Sequence, residues 1–206
     1  MAELKLGAVV LAAGRSTRLK VGNKLVAEFG DRPIIARVVD AVLAAELTVV
    51  HVVVAHERAR IVAALAGRPV TFVAAPEGCG IGVSIAEGIR ALEAAAVDGA
   101  LIVLGDMPFV DPCHLNRLIA AFTASGGRAI CVPTHAGRRG NPWLWPRGCF
   151  PGLMRLSGDI GGRALLSSVA CDVLEVAMGD DSVLRDIDTP GDLAAVARAP
   201  ETAGRG

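Results

Sequence analysis

The chain has 206 residues, of which 52% are hydrophobic and only 3% aromatic, and its formal net charge at pH 7 is zero. A length of this order suits one domain, whose core must be built mainly from Ala, Val, Leu and Ile. Zero net charge argues against a long polyanion as the partner, and no apolar run is long enough to span a bilayer. We therefore expect a cytoplasmic protein that binds neither nucleic acid nor membrane.

Apolar, β-branched runs alternate with helical patterns along the chain. The predicted strands are Leu6–Ala12, Val49–Ala55, Val70–Val73, Ala100–Leu104, Ala129–Val132 and Val173–Val176. The predicted helices are Ile34–Leu43, Arg58–Leu65, Ser84–Ala95, Pro112–Ala124, Gly162–Ser168 and Gly191–Arg198. This alternation predicts an α/β fold with a doubly wound, mostly parallel sheet.

The regular pattern breaks between Thr134 and Pro151, a segment that contains both tryptophans and several Gly and Pro residues. Such a composition predicts either a long irregular connection or a small β excursion. We assign residues 1–198 to one domain with this insertion, and residues 199–206 to a disordered tail.

The loop after the first predicted strand carries small and basic residues. It reads Leu11-Ala12-Ala13-Gly14-Arg15-Ser16-Thr17-Arg18 and continues to Lys24. Small residues let backbone N–H groups approach an anion, and basic side chains beyond them neutralise phosphate charge. The loop has neither the P-loop nor the dinucleotide-binding glycine spacing. Taken alone, it fits a nucleoside triphosphate site and an ordinary Gly-Ser loop equally well.

Three aspartates are candidates for holding a divalent metal. Asp106 follows a predicted apolar strand, where an unpaired carboxylate is costly. Asp186 and Asp188 are two residues apart, so on an extended segment their carboxylates point to the same side. Each aspartate also suits a turn or a helix cap, and the residues alone leave both interpretations open.

Further segments combine closely spaced Gly, Asp and Pro residues. They are GIGVSIAEGI (Gly80–Ile89), GDMP (Gly105–Pro108), GNP (Gly140–Pro142), GDIGGR (Gly158–Arg163) and DIDTP (Asp186–Pro190). Together with LAAGRSTRL…NK, and in this order, they resemble the motifs of the MobA-like NTP transferases, in the branch similar to molybdenum cofactor cytidylyltransferase. The resemblance extends from about Lys5 to Val196 and implies a Rossmann-like nucleotidyltransferase fold.

The resemblance also implies a reaction. An acceptor phosphate attacks the α-phosphate of CTP, and pyrophosphate leaves. The protein must position two anions and stabilise negative charge, with Mg²⁺ or Mn²⁺ as the metal cofactor. The implied acceptor is a molybdopterin-type phosphate, and the implied protein partner is a molybdoenzyme or its chaperone.

The matching motifs assign site residues position by position. Catalytic roles are implied for Lys24, Arg18 and Asp106, and metal binding for Asp106, Asp186 and Asp188. The nucleotide-binding set is Leu11, Ala12, Ala13, Gly14, Arg15, Ser16, Lys24, Pro76, Gly80, Gly82 and Ser84. The acceptor-binding set is Arg138, Arg139, Gly140, Asn141, Asp159 and Arg163. The chain departs from the family at Leu19-Lys20, where the family has Met-Gly.

Several alternatives remain open at this point. A guanylyltransferase, or a sugar- or polyol-phosphate cytidylyltransferase, would keep the fold. Related guanylyl enzymes have glycine at the position of Ala13, whose methyl group would crowd a purine. The missing G-x-G-x-x-G motif disfavours an NAD(P)-dependent oxidoreductase. The presence of both Lys24 and Asp106 disfavours a non-catalytic cofactor carrier. The two arginines at 138 and 139 also suit a solvated turn. Asp159 and Arg163 could instead form an ion pair across a helix turn.

Overall fold

The computed structural model describes residues 4–14, 23–168, 170–188 and 191–192. Its strands are β1 (Leu6–Ala12), β2 (Glu28–Phe29), β3 (Arg32–Pro33), β4 (Val49–Val54), β5 (Thr71–Ala74), β6 (Gly99–Leu104), β7 (Ile130–His135), β8 (Arg138–Arg139), β9 (Trp143–Pro146) and β10 (Val173–Ala177). Its α-helices are α1 (Ile34–Leu43), α2 (Arg58–Ala64), α3 (Gly80–Glu93), α4 (Pro112–Ala124) and α5 (Phe150–Leu153). Short 3₁₀ turns lie at Lys24–Val26, Arg147–Cys149, Gly162–Ser167 and Ser182–Leu184.

Eight strands form one mixed sheet in the order β10-β7-β9-β6-β1-β4-β5, with β8 paired to β7 outside this path. The pairs β1–β4, β1–β6, β4–β5 and β7–β10 are parallel, whereas β8 and β9 run antiparallel to their neighbours. β2 and β3 form a separate two-stranded hairpin. The predicted mostly parallel sheet is confirmed, and the carboxyl ends of its parallel strands share one edge, where ligands bind in such folds.

Helices cover both faces of the sheet, as a doubly wound fold requires. One buried cluster joins the sheet to α1, α2 and α4, and a second joins it to α3 and α5. α3 packs especially closely, because a Cβ at Gly88 would overlap Cγ1 of Val9 on β1. No helix among the described residues is long and apolar enough to cross a membrane.

The segment between Thr134 and Pro151 is more ordered than an irregular connection. It finishes β7, forms β8, and then places β9 in the middle of the sheet between β6 and β7. All four residues of β9 are buried, including Trp143 and Trp145. The β excursion was therefore the better of the two predictions, although the excursion is a central strand and not a peripheral one.

Two helices have the bounds that the sequence predicts, although only one of them has a side-chain cap. α1 and α4 have the predicted bounds, and the Asp111 side chain caps α4 by accepting from the His114 backbone N–H at 3.0 Å. The predicted helix Gly162–Ser168 is instead a 3₁₀ turn. The predicted helix Gly191–Arg198 and the tail 199–206 lie almost wholly outside the described residues.

The start of α3 differs from its prediction by four residues. The helix begins at Gly80 and not at Ser84, so Gly82 is helical although the predicted helix excludes it. The glycines here serve a close contact, since a Cβ at Gly80 would overlap the backbone carbonyl of Gly158. A glycine-rich start that normally indicates a loop is here a helix terminus packed against another segment.

Candidate active site

A cavity of about 560 Å³ opens at the carboxyl edge of the central strands. Its walls come from the ends of β1 and β6, the Lys24–Val26 turn and the first turn of α3. The residues of the predicted nucleotide-binding set that line it are Leu11, Ala13, Gly14, Lys24, Pro76, Gly80 and Ser84. Segments far apart in sequence thus converge on one cavity.

Two residues of that set do not reach the lining. Ala12 is fully buried in the core, and the missing side chain of Gly82 leaves room for the backbone of residues 157–160. Three further predicted site residues, Arg15, Ser16 and Arg18, lie outside the described residues, and their roles stay predictions.

Lys24 lies at the centre of the candidate site. Asn23 caps the short 3₁₀ turn that carries it, since its Oδ1 accepts from the Leu25 N–H at 3.0 Å. The Lys24 Nζ contacts Asp106 Oδ2 at 2.7 Å and Asp188 Oδ1 at 2.8 Å. Burial disfavours the charged amine, but the two carboxylates outweigh burial and raise the pKa of Lys24 above its ordinary value. Lys24 is therefore a firmly held cation on the cavity wall.

Asp106, Asp186 and Asp188 form one acidic cluster. One carboxylate oxygen from each lies within 4.8 Å of the others. Partial burial and then the Asp188 carboxylate raise the pKa of Asp186. Because Asp186 is largely exposed, we attribute more of this effect to like-charge repulsion than to burial.

The acidic cluster fits a divalent metal such as Mg²⁺ or Mn²⁺. These ions prefer hard oxygen ligands such as carboxylates. A bound cation would also relieve the repulsion between the three carboxylates. Among the described residues, Asp106 Oδ1 is buried and has no hydrogen-bond partner. A buried acceptor without a donor is costly unless something binds it, and it adjoins the two other carboxylates.

The GDIGGR segment packs against the start of α3. The Gly82 N–H donates to the Gly158 carbonyl oxygen at 2.9 Å. Asp159 lines the main cavity, whereas Arg163 lines a second cavity of about 480 Å³. The alternative pairing of Asp159 with Arg163 across a helix turn is not observed, because no ion pair joins them among the described residues and the 3₁₀ turn that carries Arg163 begins only at Gly162.

The remaining predicted acceptor residues lie away from the main cavity. Arg138 and Arg139 line the second cavity with Arg163, and the Arg139 Nε contacts Glu175 Oε1 at 2.7 Å. Gly140 is buried, and the Asn141 N–H donates to the Val183 carbonyl oxygen at 2.8 Å. The structure gives these last two residues a structural contact, so their direct acceptor binding stays a prediction.

Sequence reasoning missed several residues of the main cavity, among them Leu25, Cys79, Ile81 and Gly105. Gly105 has a clear structural reason, because its N–H donates to the Leu11 carbonyl oxygen at 3.0 Å and a Cβ there would lie 2.7 Å from the same oxygen. Its position inside the GDMP motif was the available signal. Leu25 carried a signal only as the neighbour of Lys24.

Comparisons with known proteins agree with this geometry. The model of the MobA-like NTP transferase domain matches residues 8–173. The purine catabolism protein PucB of Bacillus subtilis is 36% identical over 121 residues, which cover 58% of this chain and 57% of PucB. The bifunctional protein GlmU of Leifsonia xyli is 36% identical over 135 residues, which cover 64% of this chain but only 28% of GlmU. The chain thus spans about a quarter to a little over half of these curated relatives.

The crystal structure of Rv0371c from Mycobacterium tuberculosis superposes with a TM-score of 0.81 at 28% identity, covering 97% of this chain and 100% of that one. A structure of Rv0371c in complex with manganese superposes with a TM-score of 0.76 at 28% identity, covering 93% of this chain and 97% of that one. From the family match and this agreement in fold, the chain belongs to the MobA-like NTP transferases, a family of nucleotidyltransferases.

Proposed function

We propose that the protein is a metal-dependent cytidylyltransferase that transfers CMP from CTP to a molybdopterin-type phosphate and releases pyrophosphate. The main support for a metal-dependent transfer is that Lys24 contacts two of the three aspartates of the acidic cluster on the cavity wall. A cation and a metal site on one wall suit a reaction between two anions. The protein would act in the cytoplasm, with a molybdoenzyme or its chaperone as the recipient of the product.

The acidic cluster would hold Mg²⁺ or Mn²⁺ through Asp106, Asp186 and Asp188. When bound, the metal supplies charge stabilisation to the phosphates of the nucleotide. The manganese complex of Rv0371c supports a metal in this fold. The buried Asp106 Oδ1, which has no hydrogen-bond partner within the described part of the chain, supports it independently.

Lys24 would stabilise the negative charge that develops as pyrophosphate leaves. Its Nζ is held by two carboxylates, so it does not have to reorganise when the reaction occurs. Gly14 and Gly80 line the same cavity and let the phosphates approach the backbone. Arg18 would add a second cation from the chain between residues 14 and 23.

Preference for cytosine is supported by Ala13, which lines the cavity at the position where related guanylyl enzymes have glycine. A methyl group there narrows the space for a purine. A single methyl group changes selectivity by only about 1–3 kcal/mol, so the segment from Pro76 to Ser84 must contribute as well. Pro76, Gly80 and Ser84 line the same cavity as Ala13.

The acceptor would extend from the main cavity toward Asp159 and the second cavity. Its reacting phosphate must lie near Lys24 and the acidic cluster, because that is where the charge is stabilised. Arg138 and Arg163 would then contact a more distant anionic group of the acceptor.

A ligand panel with a matched variant tests this function. In thermal unfolding with Mg²⁺, CTP should raise the melting temperature of the wild type, and GTP and NADPH should not, because a ligand stabilises only the state it binds. Pyrophosphate should be released with CTP and a molybdopterin acceptor. The variant Asp106→Asn keeps the shape of the side chain but should lower turnover by about 10²-fold or more.

The exposed Asp172, at the opposite edge of the sheet, provides the control, since Asp172→Asn should react like the wild type. Selective stabilisation by GTP would reassign the base, and selective stabilisation by NADPH would point to an oxidoreductase. Normal turnover in Asp106→Asn would show that the proposed metal site is not needed for the reaction.

A further inference from the structure

In the segment from Arg185 to Asp188, residues that contact the rest of the protein alternate with the two aspartates of the acidic cluster. Ile187 is fully buried, and its N–H donates to the Asp106 carbonyl oxygen at 2.9 Å. Two residues earlier, the Arg185 guanidinium lies 3.7 Å from the centroid of the Phe109 ring. Because the segment is extended, residues 185 and 187 contact the protein while residues 186 and 188 supply carboxylates to the acidic cluster.

Phe109 is itself firmly placed. It lies three residues after Asp106, immediately after the GDMP segment, and its ring packs edge-on against Phe29 with a centroid distance of 5.4 Å. The guanidinium of Arg37, a residue of α1, lies 5.0 Å from the centroid of the Phe29 ring. The Arg185–Phe109 contact therefore ties the turn that carries Asp106 to the segment that carries the other two aspartates.

We propose that Arg185 is a positioning residue: by stacking on Phe109 it fixes the spacing of Asp186 and Asp188 relative to Asp106, and so sets the affinity of the acidic cluster for a divalent cation. The proposal rests on the metal site of the proposed function. The attraction between a guanidinium and an aromatic face depends on their stacking and is lost when either partner is removed. Arg185 is about half exposed, so little of the core depends on it.

The charge of Arg185 makes the direction of the effect informative. The positive charge of Arg185, one residue before Asp186 in the chain, repels a metal ion at the acidic cluster, so removing the charge alone would tighten metal binding. Loss of positioning has the opposite effect, because the three carboxylates would no longer be held at one spacing. Weaker metal binding in a variant that lacks Arg185 therefore indicates positioning and not electrostatics.

Mn²⁺ binding to the full chain tests the proposal, with free Mn²⁺ measured by electron paramagnetic resonance. Arg185→Ala should raise the dissociation constant for Mn²⁺ about fivefold, consistent with the loss of one aromatic–cation contact. Turnover at saturating Mn²⁺ should stay within about twofold of the wild type, while the Mn²⁺ concentration for half-maximal activity rises. Arg185→Lys, which keeps a cation over the ring, should restore most of the affinity.

Two further variants complete the test. Phe109→Leu should weaken Mn²⁺ binding to a similar extent, and adding Arg185→Ala to it should have little further effect, since both act through one contact. Arg90→Ala is the control, because Arg90 is equally exposed but lies ten residues into α3, about 15 Å from the start of the helix. Unchanged or tighter Mn²⁺ binding in Arg185→Ala overturns the positioning role while the metal site stands. If the wild type itself fails to bind Mn²⁺, the metal site and the positioning role are both wrong.

Discussion

Replacing Lys24 separates its two roles, the neutralisation of the acidic cluster and the stabilisation of charge during transfer. In Lys24→Met the Asp106 and Asp188 carboxylates lose contacts of 2.7 and 2.8 Å, and three carboxylates within 4.8 Å are left without this cation. An exposed ion pair contributes up to about 1 kcal/mol, whereas breaking a buried one costs about 3–5 kcal/mol. The Lys24 side chain is 13% exposed but that of Asp188 is 37% exposed, so we expect an intermediate loss of about 2 kcal/mol.

For a chain of this size, that loss corresponds to a melting temperature about 4–8 °C lower, measured calorimetrically with a chelator present. Mn²⁺ should narrow the difference, because the metal replaces the missing positive charge at the carboxylates. Turnover should remain about 10²–10³-fold lower even at saturating Mn²⁺, since the metal does not replace Nζ at the leaving group. Lys5→Met is the control, because Lys5 is exposed and distant from the site. A chelator-treated variant as stable as the wild type would refute this account of the cluster.

Two other substitutions test contacts away from the cavity. Gly140→Ala places a Cβ in overlap with the Val183 carbonyl and should lower the melting temperature by several degrees, at a cost of about 1–3 kcal/mol. A Cβ at Gly148 meets no atom of the described residues within 4 Å, so Gly148→Ala should be neutral in the same scan. Equal melting temperatures for the two variants would contradict the close contact at Gly140. Arg68 donates to both oxygens of Asp40 at 2.6 and 2.9 Å, and this hydrogen bonding lowers the pKa of Asp40. The stabilisation is therefore fully present above the unfolded pKa of about 3.9 and is lost as pH falls through the lower folded pKa. Denaturant unfolding should show Asp40→Asn to be less stable than the wild type by about 1 kcal/mol at pH 7, and this difference should shrink steadily as pH falls below about 3.9. A difference independent of pH would show that the ion pair is not its source.

The parts of the site that sequence predicted well are those with local patterns. The spacing of two between Asp186 and Asp188 is sufficient to place both carboxylates on one side of an extended segment, and the structure brings them to Asp106. The strand preceding Asp106 is an uninterrupted apolar run, so its end was predicted to the residue. Periodicity and composition are local properties, and they act on the chain before any tertiary contact forms.

The parts that sequence did not predict depend on pairing between distant residues. Lys24 contacts Asp188 across 164 positions of the chain, and nothing in either neighbourhood specifies the other. The glycines at the start of α3 favour a loop by propensity, but the close approach of Gly158 overrides this preference. Likewise Arg185 has no sequence signal for its contact with Phe109, because a lone arginine is normally solvated.

The central position of β9 has a consequence for how the protein is made. β6, with the sequence GALIVL, is synthesised well before β9, which covers one of its two edges. Until residues 143–146 have left the ribosome, the emerging chain presents an apolar strand with one row of unpaired backbone N–H and C=O groups. Such an edge is a template for pairing with other chains. The nascent protein is therefore most prone to aggregation between the synthesis of β6 and that of β9. This exposure of the β6 edge ends when β9 pairs with β6.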